Sequence, residues 1–368
     1  MKNPFSSRPR VRIALAAASI GMLALAGCSS TPDPASTTSS TPGSTSSADI
    51  GVSLIVKTTS NPFFVAMEAG AKEAAATEGV TLTLAAGKED GDEDTQIQAV
   101  ENAISRGDAG ILITPSGPSV EDAMVKARAA GLFVIALDTP PTNPDAVDIT
   151  FATDNRLAGE LIGEWTAAKL GGKDAVIGML DLFSDKIVSV DYNRDQGFLE
   201  GMGIDVADGQ VNGDEASTGS YSGGSYTIVG NEASQGAEDG GRTAMELLLA
   251  KNPGINVVYT INEPAAYGAR AALDAAGNKD AIIVSVDGGC AGVDGVKSGA
   301  IQATSQQYPV KMAQLGIAAI AELVRTGTVP TVTEGLDFFN TGVALVTDEA
   351  QSGVDSIDTA EGSTICWG

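Results

Sequence analysis

Histidine is missing altogether from the 368 residues, and basic side chains are scarce, with 22 Lys and Arg against 47 Asp and Glu. Without histidine there is no Ser-His-Asp or Cys-His nucleophile and no histidine-containing zinc site. The commonest general base near neutral pH is absent too. Chemistry has to come from carboxylates, Lys, Arg, Tyr or amides. The net charge of −25 repels phosphate backbones and anionic headgroups, so nucleic acid is not an expected partner. Proline is sparse at 15 residues, whereas 43% of the chain is hydrophobic. That composition fits a globular chain with an ordinary core, and at this length two domains or lobes are expected.

The first stretch reads as an address. Lys2, Arg8, Arg10 and Arg12 precede a short apolar run, Ile13 to Gly27, and then Cys28. The run is shorter than the roughly 20 apolar residues that span a bilayer, so residues 1–27 are expected to be a secretory signal. Leu25-Ala26-Gly27-Cys28 resembles the bacterial lipobox, whose cysteine is lipidated, with a palmitoyl chain expected, and becomes the new N-terminus. The alternative is a plain signal peptide whose small residues happen to precede a cysteine. Cleavage would remove four basic and no acidic residues, moving the net charge to −29. Residues 28–49 are nearly all Ser, Thr and Pro after Cys28, too polar to offset their ordering entropy, and are expected to be a flexible tether. A soluble domain held at the outer face of a membrane follows.

Two of the 3 cysteines remain, Cys290 and Cys366. In an exported chain they are naturally a disulfide fastening the C-terminal tail to the body; two unpaired buried thiols are the alternative. Two cysteines and no histidine make a metal site improbable, and no cofactor is expected.

From Gly51 the chain alternates short apolar strands with helical stretches. Strands are expected at 51–57, 80–85, 109–114 and 132–137, with helices between them. A second cycle follows: helices at 155–170 and 188–202, a strand at 175–180, then strands at 255–260, 281–286 and 300–304. Near-continuous apolar strands joined by helices argue for parallel sheets covered on both faces, hence an α/β fold of two Rossmann-like lobes. Asp205 to Tyr226, rich in Gly, Ser and Asp, reads as an insertion or long loop. Its Asp205, Asp208, Asp214 and Glu215 could hold Ca²⁺, but the EF-hand spacing is absent, and a solvated loop is the better reading.

Ligands of open parallel sheets bind beyond the carboxyl ends of the strands. Those ends carry Ser60-Asn61-Pro62-Phe63-Phe64, Asp138-Thr139, Asp181, Asn262-Glu263, Asp287 and Gln306-Gln307. Carboxylates and amides suit hydroxyls, and aromatic faces suit C–H surfaces, which together match a sugar. Each residue also has a plainer role. An Asp after a strand is commonly a helix N-cap and Asn-Pro a turn. No glycine-rich phosphate loop follows a strand.

In order and spacing, Asn61-Pro62-Phe63-Phe64, Ala136-Leu137-Asp138, Asn193-Arg194-Asp195-Gln196-Gly197-Phe198, Asn262-Glu263-Pro264, Val286-Asp287-Gly288 and Thr304-Ser305-Gln306-Gln307-Tyr308-Pro309 resemble one family. It is the type I periplasmic sugar-binding proteins of ABC transporters, the ribose/fructose/xylose group, matched from about Asp49 to Asp348. Gly335-Leu336-Asp337-Phe338-Phe339 and the Gly-rich insertion look most like the fructose-type receptors. The resemblance implies that Phe63 and Phe64 wall the sugar ring and Asn61 bonds a hydroxyl. Asp138 would accept from two hydroxyls and Arg194 would donate from the second lobe, with Asn262, Asp287 and Gln307 completing the cage. Thr139 stands where ribose receptors carry an Arg, and Asp239 stands near an aromatic-wall position. Both departures enrich the pocket in acceptors and favour a hexose, such as fructose, over ribose.

The family also implies three hinge crossings, near Ala152, Gln307 and Thr333. They would divide the chain into a first lobe of 50–152 plus 308–333, a second of 153–307 plus 334–347, and a tail of 348–368. Closure of a monomer around the sugar, recognised by a membrane permease, would follow. A sensor feeding a chemoreceptor or histidine kinase would use the same site. A glycosidase using Asp138 with Asp287 is a remoter alternative. A LacI-type regulator would need a basic DNA-binding head that this N-terminus lacks.

Overall fold

The structure, a computed structural model, describes residues 50–368; the expected signal peptide, Cys28 and the 28–49 tether lie outside the described residues. The first cycle of the chain is β1 (Ile50–Val56), α1 (Pro62–Glu78), β2 (Val80–Ala86), α2 (Glu93–Arg106), β3 (Gly110–Ile113), α3 (Pro118–Ala129), β4 (Phe133–Leu137) and β5 (Ile149–Ala152). The second is α4 (Asn155–Leu170), β6 (Ala175–Asp181), α5 (Ser189–Met202), β7 (Thr218–Ser220), β8 (Ser225–Ala233), α6 (Glu238–Lys251), β9 (Val257–Thr260), α7 (Glu263–Ala275), β10 (Ile282–Asp287), α8 (Cys290–Ser298) and β11 (Ala303–Gln306). The chain closes with α9 (Pro309–Thr326), β12 (Phe339–Asn340), β13 (Ala344–Val346) and α10 (Thr359–Ile365).

Two sheets result, ordered β12-β5-β4-β3-β1-β2 and β13-β11-β10-β9-β6-β8-β7. The first is parallel throughout; the second is parallel except at its edges, where β7 and β13 run antiparallel. Their central strands, β2-β1-β3-β4-β5 and β8-β6-β9-β10-β11, share the doubly wound order whose direction reverses beside the first strand, and the crevice at that reversal is where such sheets bind ligands. Apolar clusters lie on both faces of each sheet, which explains why the strands read as unbroken apolar runs.

The helix carrying Arg194 is set by glycine. An added Cβ at Gly159 or Gly163 of α4 would strike the backbone of α5 at Arg194 and Phe198, and at Gly197 or Gly201 of α5 it would strike α4 at Arg156 and Glu160. The two backbones therefore pack in direct contact, which only residues lacking a Cβ permit.

The chain leaves the first sheet after Ala152 and returns after Gln306, when α9 packs on α1. The third crossing differs from expectation. Phe339 pairs with Phe151, and their rings meet at 5.2 Å, so β12 is an edge strand of the first sheet. The crossing falls between Asn340 and Ala344 rather than near Thr333, and the segment 334–347 is shared between the sheets. The strand expected at 300–304 lies at Ala303–Gln306, because Gly299 first ends α8 in a left-handed cap. Part of the 205–226 stretch forms the edge pair β7–β8. Cys290 and Cys366 are joined, with Cα atoms 4.9 Å apart, so the unpaired-thiol alternative is set aside. Among the described residues no helix is long and apolar enough to cross a membrane.

Candidate functional site

The carboxyl ends of both sheets converge on one cleft. From the first lobe it is lined by Lys57, Asn61, Phe63, Phe64, Asp90 and Asp138, and from the second by Leu182, Val190, Arg194, Ile261, Asn262 and Asp287, with Gln307 at the second crossing. The space left is about 30 Å³, room for roughly two waters.

Local sequence dictates how the first-lobe side chains are presented. Asn61 caps α1, its Oδ1 accepting from the Phe63 N–H at 2.9 Å, and Pro62 starts the helix. Only the Asn61 Nδ2 is left to donate to a ligand. The cap turns Phe63 and Phe64 into the cleft as a buried, T-shaped pair 5.2 Å apart. Asp138 holds a left-handed backbone at φ 65°, and Asp287 in the other lobe lies at φ 146°. A non-glycine residue pays about 1–3 kcal/mol for such conformations, which persist chiefly at functional sites. Both fall at strand ends where the sequence placed ligand carboxylates.

Arg194 is 4% exposed and joins the lobes. Its Nε donates to Asn155 Oδ1 at 2.8 Å and its Nη1 to the Ile261 carbonyl at 3.0 Å, while Nη2 lies 3.6 Å from Asp138 Oδ1. Asn155 also donates to the Asp138 carbonyl, at 3.3 Å. Asp287 accepts from Gln307 Nε2 at 2.8 Å. Burial pushes its carboxyl up to about 6, against the opposing pull of Arg194. Beneath it, Glu263 accepts from the Gly288 N–H and the Thr304 hydroxyl, both at 2.8 Å. Burial and the Asp287 charge push Glu263 up to about 8.

Among the residues lining the cleft, three buried acceptors have no hydrogen-bond partner: Asp90 Oδ1, Gln307 Oε1, and Asp138 Oδ1, which has only the 3.6 Å approach of Arg194 Nη2. Leaving a buried acceptor unpaired costs about 1–3 kcal/mol. Acceptors in this state around an interlobe cleft, beside two aromatic faces and two cations, are what a polyhydroxylated ring would satisfy.

Three expected residues take other places. Thr139 is buried away from the cleft, and its hydroxyl donates to Asp138 Oδ2 at 2.8 Å. It orients the carboxylate and does not touch the ligand space. Asp239 is corrected outright: it is exposed in the first turn of α6, where a carboxylate suits the helix N-terminus. The second-lobe wall is Leu182, Val190 and Ile261 instead. Asn262 lines the cleft, but its Oδ1 caps α7 and its Nδ2 donates to the Gly236 carbonyl, so it mainly frames the site.

Lys57 and Asp90 were missed. Lys57 is 2% exposed at the end of an otherwise apolar strand, and that charge was the signal. Asp90 lies four residues beyond β2, in a turn too far from the strand end for the sequence to mark it. Burial raises its carboxyl, and the nearby Lys57 charge offsets part of that rise.

A larger cavity of about 670 Å³ lies between the 183–188 turn and the 210–217 segment, lined by Asp181, Asp191 and Glu215 among others. It is a wide groove on one lobe only. Among the described residues no three acidic or cysteine side chains converge in a metal-ligating arrangement. The cleft lined from both lobes is the candidate ligand site.

Comparison with known proteins agrees with the geometry. Residues 50–328 match the family profile described as periplasmic binding protein domain. The chain belongs to the periplasmic binding protein family. Within it, this type I sugar-binding protein is 31% identical over 284 residues to the D-apiose import binding protein of Actinobacillus succinogenes, covering 76% of this chain and 84% of the relative. It is 26% identical over 275 residues to the ribose import binding protein RbsB of Salmonella typhimurium, covering 74% and 84%. A solved periplasmic solute-binding protein from Actinobacillus succinogenes 130Z with bound D-allose superposes with a TM-score of 0.69 at 20% identity, over 86% of this chain and all of that one. These relatives are solute-binding proteins and not enzymes, in keeping with a binding role for this chain.

Proposed function

We propose that this protein is an extracytoplasmic receptor that captures a monosaccharide, a hexose such as fructose, between its lobes and hands it to an ABC permease. The observation that carries the reading is the set of unpaired buried acceptors, Asp138 Oδ1, Asp90 Oδ1 and Gln307 Oε1, beside Phe63 and Phe64. Sugar hydroxyls would donate to them, Arg194 and Lys57 would donate to ring or hydroxyl oxygens, and the phenyl faces would cover the C–H surface. Thr139 in place of a fork donor leaves Asp138 short of one positive partner, and such a pocket suits a ligand with more hydroxyls to donate. The narrow cleft supports opening and closing about the three crossings, driven by contacts present only in the closed form. The Leu25-Ala26-Gly27-Cys28 junction supports lipid attachment at Cys28, leaving a monomeric domain tethered outside the membrane.

Calorimetric titration with D-fructose, D-allose and D-ribose tests the specificity. Saturable binding is expected, tighter for fructose than for ribose; a clear preference for ribose would overturn the hexose assignment. Mass spectrometry of protein from membranes tests the anchor, which requires a diacylglyceryl-modified Cys28 at the mature N-terminus.

A further inference from the structure

The last three residues of the chain lie beyond the segment that matches the family profile, which stops at residue 328, yet they reach the back of the sugar site. The disulfide fixes Cys366 to Cys290, the first residue of α8, three positions after Asp287. The Trp367 carbonyl accepts from the Cys290 N–H at 2.9 Å, and α10 packs on α8. The backbone of the tail thus belongs to the second lobe. Its indole does not stay there. Trp367 is 8% exposed and joins the apolar cluster of the first lobe. Its ring meets Phe63 edge to face, centroids 5.5 Å apart and planes at 79°. Its Nε1 donates to the Gln307 carbonyl at 2.7 Å.

One side chain therefore touches a wall of the cleft in the first lobe and the backbone of the crossing residue whose own side chain holds Asp287. The Gly289 backbone abuts the ring, since a Cβ there would come within 3.2 Å of it. None of this places Trp367 in the ligand space. It stands one layer behind, at the end of an aromatic line running Trp367, Phe63, Phe64.

We infer that Trp367 is a positioning residue for sugar binding, delivered by the Cys290–Cys366 bond, which sets Phe63 and Gln307 for the closed cleft and adds an interlobe contact to that state. This rests on the receptor reading above. Parting of the lobes moves a tail anchored on α8 away from a ring anchored on α1, so the Trp367–Phe63 contact belongs to the closed form. A contact made only there favours ligand retention, and its loss should appear in the dissociation rate.

The test measures binding of D-fructose, D-allose, D-ribose and myo-inositol to the full mature chain, alongside its melting temperature. For whichever sugar the wild type binds, Trp367→Ala should weaken affinity by about tenfold, mostly through faster release. Trp367→Phe, which keeps the ring contact but not the N–H donor, should recover all but about threefold of it. A tail that serves stability alone predicts lower melting temperatures in both variants with unchanged affinity, and that result would overturn the inference. Should Trp367→Ala fail to fold, Cys290→Ser with Cys366→Ser frees the tail while keeping the indole, and it should speed release in the same direction; an unchanged release rate would count against the proposal. In a Trp165→Phe background Trp367 is the sole tryptophan, and its emission should change on sugar addition; emission unaffected by saturating sugar contradicts the interlobe role. Wild-type protein that binds none of these three sugars or the cyclitol defeats the receptor reading itself and takes this inference with it, whereas normal binding by both wild type and Trp367→Ala defeats the inference alone.

Discussion

Arg194 shows how much one side chain can decide. It is buried, its guanidinium spans Asn155, the Ile261 carbonyl and Asp138, and it comes from the lobe opposite that of Asp138. Removing one partner of a buried charge pair costs about 3–5 kcal/mol, because the other charge is left uncompensated. Arg194→Ala is accordingly expected to weaken sugar binding at least a hundredfold in a calorimetric titration; affinity within threefold of wild type would remove Arg194 from the site. Thr139→Val probes a subtler role. The hydroxyl only orients Asp138 Oδ2, so its loss should weaken binding by about 3- to 10-fold, the size of one ordinary hydrogen bond at about 0.5–1.5 kcal/mol. At this scale the sequence was a good guide to which residues line the cleft near the strand ends, as with Asp138, Asp287 and Gln307. It failed for Asp239, because the start of a helix can face solvent or cleft and only tertiary packing chooses. It failed for Lys57 because a charge directly after an apolar strand ordinarily marks its exposed end, whereas this side chain is buried.

Among the elements, the α4–α5 pair is the most constrained. Its reciprocal glycines let the backbone of α5 rest on α4, and α5 carries Arg194. A methyl group introduced there must push the helices apart, an overpacking cost of about 1–3 kcal/mol. Gly163→Ala should therefore lower stability to chemical denaturation by that amount and weaken sugar binding as Arg194 shifts. Unchanged stability would show that the contact yields easily. The central parallel strands were legible because burial on both faces makes them apolar throughout. The short strand β12 (Phe339–Asn340) was not, since a two-residue strand has no period to read, and its placement rests on Phe339 meeting Phe151 across the sheet. The tail helix α10 was equally silent in the sequence; what betrays it is the disulfide partner that brings Cys366 back to α8.

For the whole molecule, the absence of histidine and the excess of carboxylates shape the response to pH. Burial pushes Glu263 and Asp191 up to about 8 and Asp287 up to about 6, from ordinary values of 4.5, 3.8 and 3.8. The folded chain therefore holds protons that the unfolded chain releases, so these groups contribute stability that is complete below their unfolded values and is lost as pH rises through the folded ones. Self-repulsion of a strongly acidic chain acts in the same direction. The melting temperature without sugar should fall between about pH 5 and about pH 8.5, and Glu263→Gln should make that fall shallower. A melting temperature that climbs over this range would contradict the burial of these acids.

The claim on which everything else depends is that the interlobe cleft binds a monosaccharide. The most direct measurement is a thermal-shift panel of pentoses, hexoses, cyclitols and related polyols, run in parallel on wild type and Arg194→Ala. A true ligand at a hundred times its dissociation constant stabilises the folded state by about 2.7 kcal/mol. The expected result is a clear upward shift for at least one hexose, absent in Arg194→Ala; no shift with any sugar, or an equal shift in both proteins, would contradict it.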